Sequence, residues 1–288
     1  MSLNLDARQR AMLKEMGIRV WLPEPKTATH DPQTATPDIQ VAPKNRAVTP
    51  YPQKAPSSFS SQAPAPSSQA TPSSKPLAVQ PLASRIDAMD WDQLQSTVAS
   101  CQACGLCKSR KNTVFGAGDK QARWLVVGEA PGENEDLQGE PFVGNAGQLL
   151  DNMLRAMGLD RHGTGSQGVY ITNVLKCRPP ANRNPDKDEV LQCEPYLRRQ
   201  VALLQPQIIL ALGRFAAQSV LGATVPDIAS IPLGKLRGQV HHYQGVPVIV
   251  SYHPAYLLRS LGEKAKAWAD LCLAMDEMDK QTPAVTRG

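Results

Sequence analysis

"RWLVVGEAPGENEDLQGEPFVGNAGQLL", residues 123–150, decides the fold. Its opening run, Arg123 to Gly128, is short, rich in Val and Leu, and closed by a turn residue, which is the pattern of a strand buried on both faces. Three later runs share that character: "VYITNV" (Val169 to Val174), "QIILALG" (Gln207 to Gly213) and "VPVIVSY" (Val246 to Tyr252). Helical patterns lie between them. Leu149, Leu150, Met153, Leu154 and Met157 recur at helical spacing and stop at Gly158, a good helix end. A second helix is expected from "PDKDEV", with acids in its first turn, to Leu204, with an irregularity at Pro195. Strands alternating with helices imply an α/β fold, a parallel sheet covered on both faces. Such sheets bind ligands outside the carboxyl ends of their strands. Glu129, Asn173 and His253 stand at or just beyond three of those ends, so a carboxylate, an amide and an imidazole are aimed at one crevice.

Composition limits the function classes. The chain has 288 residues, a formal net charge of +5 and 41% hydrophobic residues, enough for one or two domains. A balance this mildly basic implies that any nucleic-acid contact is a local patch, not a whole face. No run of about 18 apolar residues is present, so no membrane helix is expected. The N-terminus has no apolar signal core, and a cytoplasmic monomer is expected. Residues 23–84 are rich in Pro, Ser, Ala, Thr and Gln. Such a segment buries too little apolar surface to offset an ordering cost of about 1–2 kcal/mol per residue, and it reads as a disordered tail. Ahead of it, residues 1–22 carry Leu13, Met16, Ile18 and Trp21, a short helical segment suited to a protein partner or to the domain itself. Residues 85–288 read as the compact unit.

Cysteine spacing is a separate signal. Cys101 and Cys104 form a C-x2-C pair, Cys107 follows, and Cys177 and Cys193 have fifteen residues between them. In a cytoplasmic protein such thiols point to a metal and not to disulfides. Zinc and a 4Fe-4S cluster both accept four thiolates, and the spacing does not choose between them. Cys272, in "WADLCLAMDEM", reads as an apolar side chain of the core.

The ordered blocks "CQACGLCKSR", "VFGAG", "GEAPGENED", "EPFVGNAGQLL", "TNVLKCRPPANRNP", "LGRFAAQSVLG" and "SYHPAYLLR" resemble the family 4 uracil-DNA glycosylases, from Cys101 to about Lys280. The resemblance implies a three-layer sandwich with a four-stranded parallel sheet, a 4Fe-4S cluster, and hydrolysis of the N-glycosidic bond of deoxyuridine in DNA. It implies Cys101, Cys104, Cys177 and Cys193 as cluster ligands, with Cys107 a bystander. Phe142 is similar to the family's stacking aromatic. Asn173 offers one acceptor and one donor set, matching the N3-H and O4 edge of uracil. His253 is expected on the O2 side of the departing base, where a donor stabilises developing negative charge. Glu129 is expected to position water or to stabilise the cationic sugar, with Glu135 and Asp136 as competitors, because Ala130 occupies the place of the water-activating Asp of other branches. Those branches carry a Tyr where Gly132 stands, so the wall against thymine must come from elsewhere, with Glu135 as a candidate. Leu257 is similar to the family's wedge, and Arg259 is expected on phosphate together with Lys108, Arg110, Lys176, Arg178, Arg183 and Arg237. Two other readings stay open: a noncatalytic DNA-binding or polymerase-associated module of the same fold, and a zinc scaffold.

Overall fold

The computed structural model describes residues 85–281. The expected N-terminal segment at 1–22 and the tail at 23–84 lie outside the described residues.

The four apolar runs form strands β2 (Trp124–Gly128), β3 (Val169–Asn173), β4 (Ile208–Leu212) and β6 (Val246–Ser251). They pair in parallel, β3 on β2, β2 on β4 and β4 on β6. The sheet is wider than the expected four strands. β1 (Ala117–Gly118) adds antiparallel to β3, and β5 (Val240–Tyr243) adds antiparallel to β6, giving the order β1-β3-β2-β4-β6-β5. Both extra strands are short edge strands with no apolar run, and edge strands need only one partner and little burial. Their sequences "AG" and "VHHY" carry no strand signal.

Alternation along each parallel strand sends side chains into two layers. Leu125 and Val127 of β2, Ile209 and Ala211 of β4, and Val248 and Val250 of β6 face one core. Over that face pack α1 (Trp91–Ala99), α4 (Lys187–Leu204) and α5 (Arg214–Leu221) through Leu94, Val98, Tyr196, Leu197, Val201 and Val220. Trp124 and Val126, Ile208 and Leu210, and Ile249 face the other core. That core is closed by α3 (Gly144–Ala156) and α8 (Lys264–Gln281) through Leu150, Met153, Leu154, Trp268 and Leu271. Each fully buried Leu contributes about 1.5–3 kcal/mol, so the two layers are the main source of stability.

The helix boundaries follow from local chemistry. α3 begins earlier than expected, at Gly144, and gives way to Gly158 at φ 78, where a side chain would be strained. α4 starts after Asp186, whose backbone N-H donates to Glu189 Oε2 at 2.9 Å, and it runs through Pro195 to Leu204. Cys272 packs on the second core, as its sequence context implies.

Short helices link the strand ends: α2 (Glu133–Gln138) after β2, α6 (Leu233–Leu236) before β5, and α7 (Pro254–Arg259) after β6. α7 corrects one expectation. Leu257 is 0% exposed and belongs to the second core, so it has no free apolar surface to push into DNA. One turn of helix can bury only one face, and α7 spends Leu257 inward and turns Tyr256 and Leu258 outward. Leu257→Ala is expected to lower unfolding stability by about 2–5 kcal/mol in a urea titration, the loss of a core side chain.

Candidate active site

Three strand ends and the loops after them enclose a cleft of about 700 Å³. Its lining includes Glu129, Phe142, Asn173, His253, Tyr256 and Arg259, so the carboxylate, amide and imidazole expected at one crevice share it. The register explains the meeting. Gly128 lies opposite Asn173 across the β2–β3 pair, and the pairing continues beyond the strands as Val174 N-H donates to Gly128 O and Leu175 N-H to Glu129 O.

Gly128 has no side chain for a geometric reason. A Cβ there would stand 2.3 Å from Asn173 Oδ1 and 2.4 Å from Phe142 Cζ. The amide and the aromatic ring therefore meet over a bare backbone. Phe142 stacks on His253 with centroids 5.3 Å apart and planes at 26°, which extends the wall from strand end to strand end.

Phe142 has φ 54, a left-handed backbone that costs a bulky residue of order 1–3 kcal/mol. Its surroundings impose that conformation. Arg161 donates from Nη2 to Phe142 O at 2.9 Å and from Nη1 to Pro141 O at 3.2 Å, while Arg161 Nε is held by Asp151 Oδ1 at 2.6 Å. From the other side Glu135 Oε1 accepts from Val143 N-H at 2.9 Å. Gly147 lets α3 approach, since a Cβ there would overlap Phe142 O. Arg161 was not among the candidates read from sequence. It lies between helix and strand with no motif around it, and only the fold brings it to residue 142.

The three competing carboxylates separate cleanly. Asp136 is 2% exposed and caps backbone, accepting from Lys111 N-H at 2.9 Å and Asn112 N-H at 3.3 Å. Glu135 spends Oε2 on Gly132 N-H at 3.0 Å and Oε1 on Val143, so it ties two loops together at the edge of the cleft. Glu129 lines the cleft, and burial raises its carboxyl above the ordinary carboxylate range.

His253 caps α7. Its Nδ1 accepts from Ala255 N-H at 3.2 Å, so the ring proton sits on Nε2. Burial, aided by the charge of Arg259, pushes the imidazole down to about 4, which keeps it neutral near pH 7.

The expected phosphate contacts mostly have other employment. Lys176 is 1% exposed, its Nζ donating to Thr172 Oγ1, Asn173 O and Gln200 Oε1, each at 2.7 Å. It braces the strand end that carries Asn173 and does not reach solvent. Burial lowers its ammonium to about 7. Arg110 donates to Cys177 Sγ and to Ala99 O, each at 3.1 Å. Arg237 is paired with Asp270 at 2.7 Å, and Arg183 bridges to Glu189 and Asp186. Arg178 bonds Asn182 at 2.8 Å. Lys108 and Arg259 are exposed, and of these Arg259 is at the cleft.

Just beyond Asn173's strand end, Cys101, Cys104, Cys107, Cys177 and Cys193 line one small cavity together with Arg110, Lys176 and Tyr196. Among the described residues no three thiols, imidazoles or carboxylates converge closely enough for one ion. Burial raises the thiols of Cys104 and Cys177 and pushes that of Cys193 up to about 12. Buried and half-buried thiols beside two cations form a donor set that suits a thiolate-bound metal or cluster, whose charge would carry them to thiolates.

The comparisons with known proteins agree with this geometry. A sequence model of the Uracil DNA glycosylase superfamily matches residues 115–272. A type-4 uracil-DNA glycosylase of Archaeoglobus fulgidus is 45% identical over 171 residues, 58% of this chain and 82% of that protein. One from Saccharolobus solfataricus is 44% identical over 172 residues, 58% of this chain and 76% of that protein. One from Pyrobaculum aerophilum is 40% identical over 191 residues, 64% of this chain and 93% of that protein. The chain belongs to the uracil-DNA glycosylase superfamily, in its type-4 branch. Among the described residues no helix is long and apolar enough to cross a membrane.

His253 gives a pH-dependent stability of known sign. Its folded value near 4 lies below the unfolded 6.5, so between them the unfolded chain binds the extra proton. The contribution is complete above pH 6.5 and is lost as pH falls towards 4. Urea unfolding across that window should show the loss in the native protein and a flatter profile in His253→Asn.

Proposed function

We propose that this chain removes uracil from DNA by hydrolysing the N-glycosidic bond, leaving an abasic site. The observation that carries the reading is the shared cleft of Asn173, His253 and Glu129 in a chain of this family.

A base stacked in a duplex hides its glycosidic bond, so the nucleotide must be extruded at a cost of a few kcal/mol. The cleft offsets that cost. Phe142 supplies its apolar wall, and the Asn173 amide pairs with N3-H and O4 of uracil. Cytosine presents the reverse pattern and would leave buried polar groups unpaired, at about 1–3 kcal/mol each. Negative charge develops on the base as the bond breaks. His253, neutral with its proton on Nε2, donates to O2 at that moment without a proton transfer of its own. Positive charge develops on the deoxyribose. Glu129 faces it from the other strand end, or orients the attacking water, and Arg259 holds phosphate at the rim.

Cys101, Cys104, Cys177 and Cys193 would hold a 4Fe-4S cluster. That group would supply a covalent pin, tying the segment that follows Asn173 to α4 and to the turn before Val114. Arg110 and Lys176 offset the negative charge of its four thiolates, and Cys107 lines the same cavity without being needed as a ligand.

An oligonucleotide containing one uracil, treated with the protein and then with alkali, should break at that position. Uncut strand would leave a DNA-binding module of the same fold. Asn173→Ala and His253→Ala should each lose about 10²–10³-fold in turnover while still melting cooperatively above the assay temperature, and wild-type rates in both would overturn the site. Purified protein should be brown with broad visible absorption. Cys177→Ser should lose that colour and Cys107→Ser should keep it.

A further inference from the structure

Beside the cleft stands a feature that the excision chemistry leaves unused. Arg237, Tyr252 and Tyr256 form a column: the Arg237 guanidinium lies 4.2 Å from the Tyr252 ring centroid, and the Tyr252 and Tyr256 rings pack in a tilted pair with centroids 5.0 Å apart and planes at 39°. We propose that this column is a stacking platform for an unpaired nucleobase next to the extruded nucleotide, so that the protein takes single-stranded DNA as a preferred substrate. The proposal rests on the glycosylase reading above.

The column is built rigidly from the inside. Arg237 Nε is held by Asp270 Oδ2 at 2.7 Å, and Ser251 Oγ donates to that same oxygen at 2.7 Å. The side chains of the Arg237–Asp270 pair are 9% and 1% exposed, so the lower end is fixed before any ligand arrives. Folding accounts for Arg237, whose charge neutralises a buried carboxylate, and for Tyr252, which covers it. It does not account for Tyr256. Tyr256 is 38% exposed at the outer end of the column, and both tyrosines line the cleft. An ordered aromatic surface at the rim of a binding site offers area with little entropy left to lose.

The chemistry of the rim selects the occupant. Base stacking on an aromatic side chain needs no particular base, and a cation beneath the ring deepens the interaction. Arg259, three residues after Tyr256 on the same helix, lines the same cleft and offers its charge to the strand's phosphates. In a duplex the neighbouring base is already stacked and paired, so the platform has less to gain there.

The test uses the whole protein and a single-stranded oligonucleotide that carries a fluorinated, uncleavable deoxyuridine flanked by 2-aminopurine, with its duplex as a second probe. Wild type should quench the aminopurine on binding the single strand. Tyr256→Ala and Tyr256→Leu should both bind the single strand about tenfold more weakly and lose the quench, with a smaller effect on the duplex. Tyr256→Phe should behave as wild type. Full binding by Tyr256→Leu would identify an apolar wedge and overturn the platform, as would unchanged binding and quenching in Tyr256→Ala. Melting temperatures check folding, and an exposed ring should leave them unchanged. Failure of wild type to release uracil from the ordinary oligonucleotide would instead sink the glycosylase reading; release with unaltered Tyr256 variants would sink the platform alone.

Discussion

The site depends on a bare backbone at Gly128. Because β2 and β3 run parallel and in register, residue 128 sits beside residue 173, and the space a side chain would fill is taken by the Asn173 amide and the Phe142 ring. Everything else at the cleft is arranged around that contact. Phe142 is held in a left-handed conformation by Arg161 and Glu135, and it in turn backs His253. A polar group used for recognition must be buried to discriminate, and it must be held still to be useful; close packing over glycine achieves both.

Asn173 is braced from two sides. Gly128 and Phe142 confine its side chain, while the buried Lys176 ammonium binds its carbonyl oxygen. Lys176 also borders the cysteine cavity, as does Arg110 through its bond to Cys177. The strand end that carries Asn173 is thus joined to the thiol cluster through one short segment, residues 173–177. That link runs through backbone and through the hydrogen bonds of Lys176 and Arg110.

The carboxylates show how burial assigns roles that residue type leaves open. Glu129, Glu135 and Asp136 lie within eight residues of chain. Asp136 and Glu135 are consumed by backbone N-H groups, and Glu129 alone of the three keeps its oxygens for the cleft. Likewise α7 carries three consecutive large apolar or aromatic residues, Tyr256, Leu257 and Leu258, and helix geometry decides that Leu257 goes inward while Tyr256 and Leu258 go outward.

Much was legible from sequence because the signals were local. Apolar runs gave the parallel strands, periodicity and Gly158 gave α3, and the small residues after each strand gave the crevice with Glu129, Asn173 and His253 beside it. What the residues alone left open was anything that depends on which atoms meet across the fold. The edge strands had too little burial to mark them. Arg161 had no motif, and the positive charges looked alike until Lys176, Arg110 and Arg237 proved to be spent inside the molecule. Local chain chemistry determines elements and the residue types at their ends; burial, hydrogen-bond partners and free faces exist only once distant segments pack, so only the tertiary structure decides which side chains remain available for chemistry.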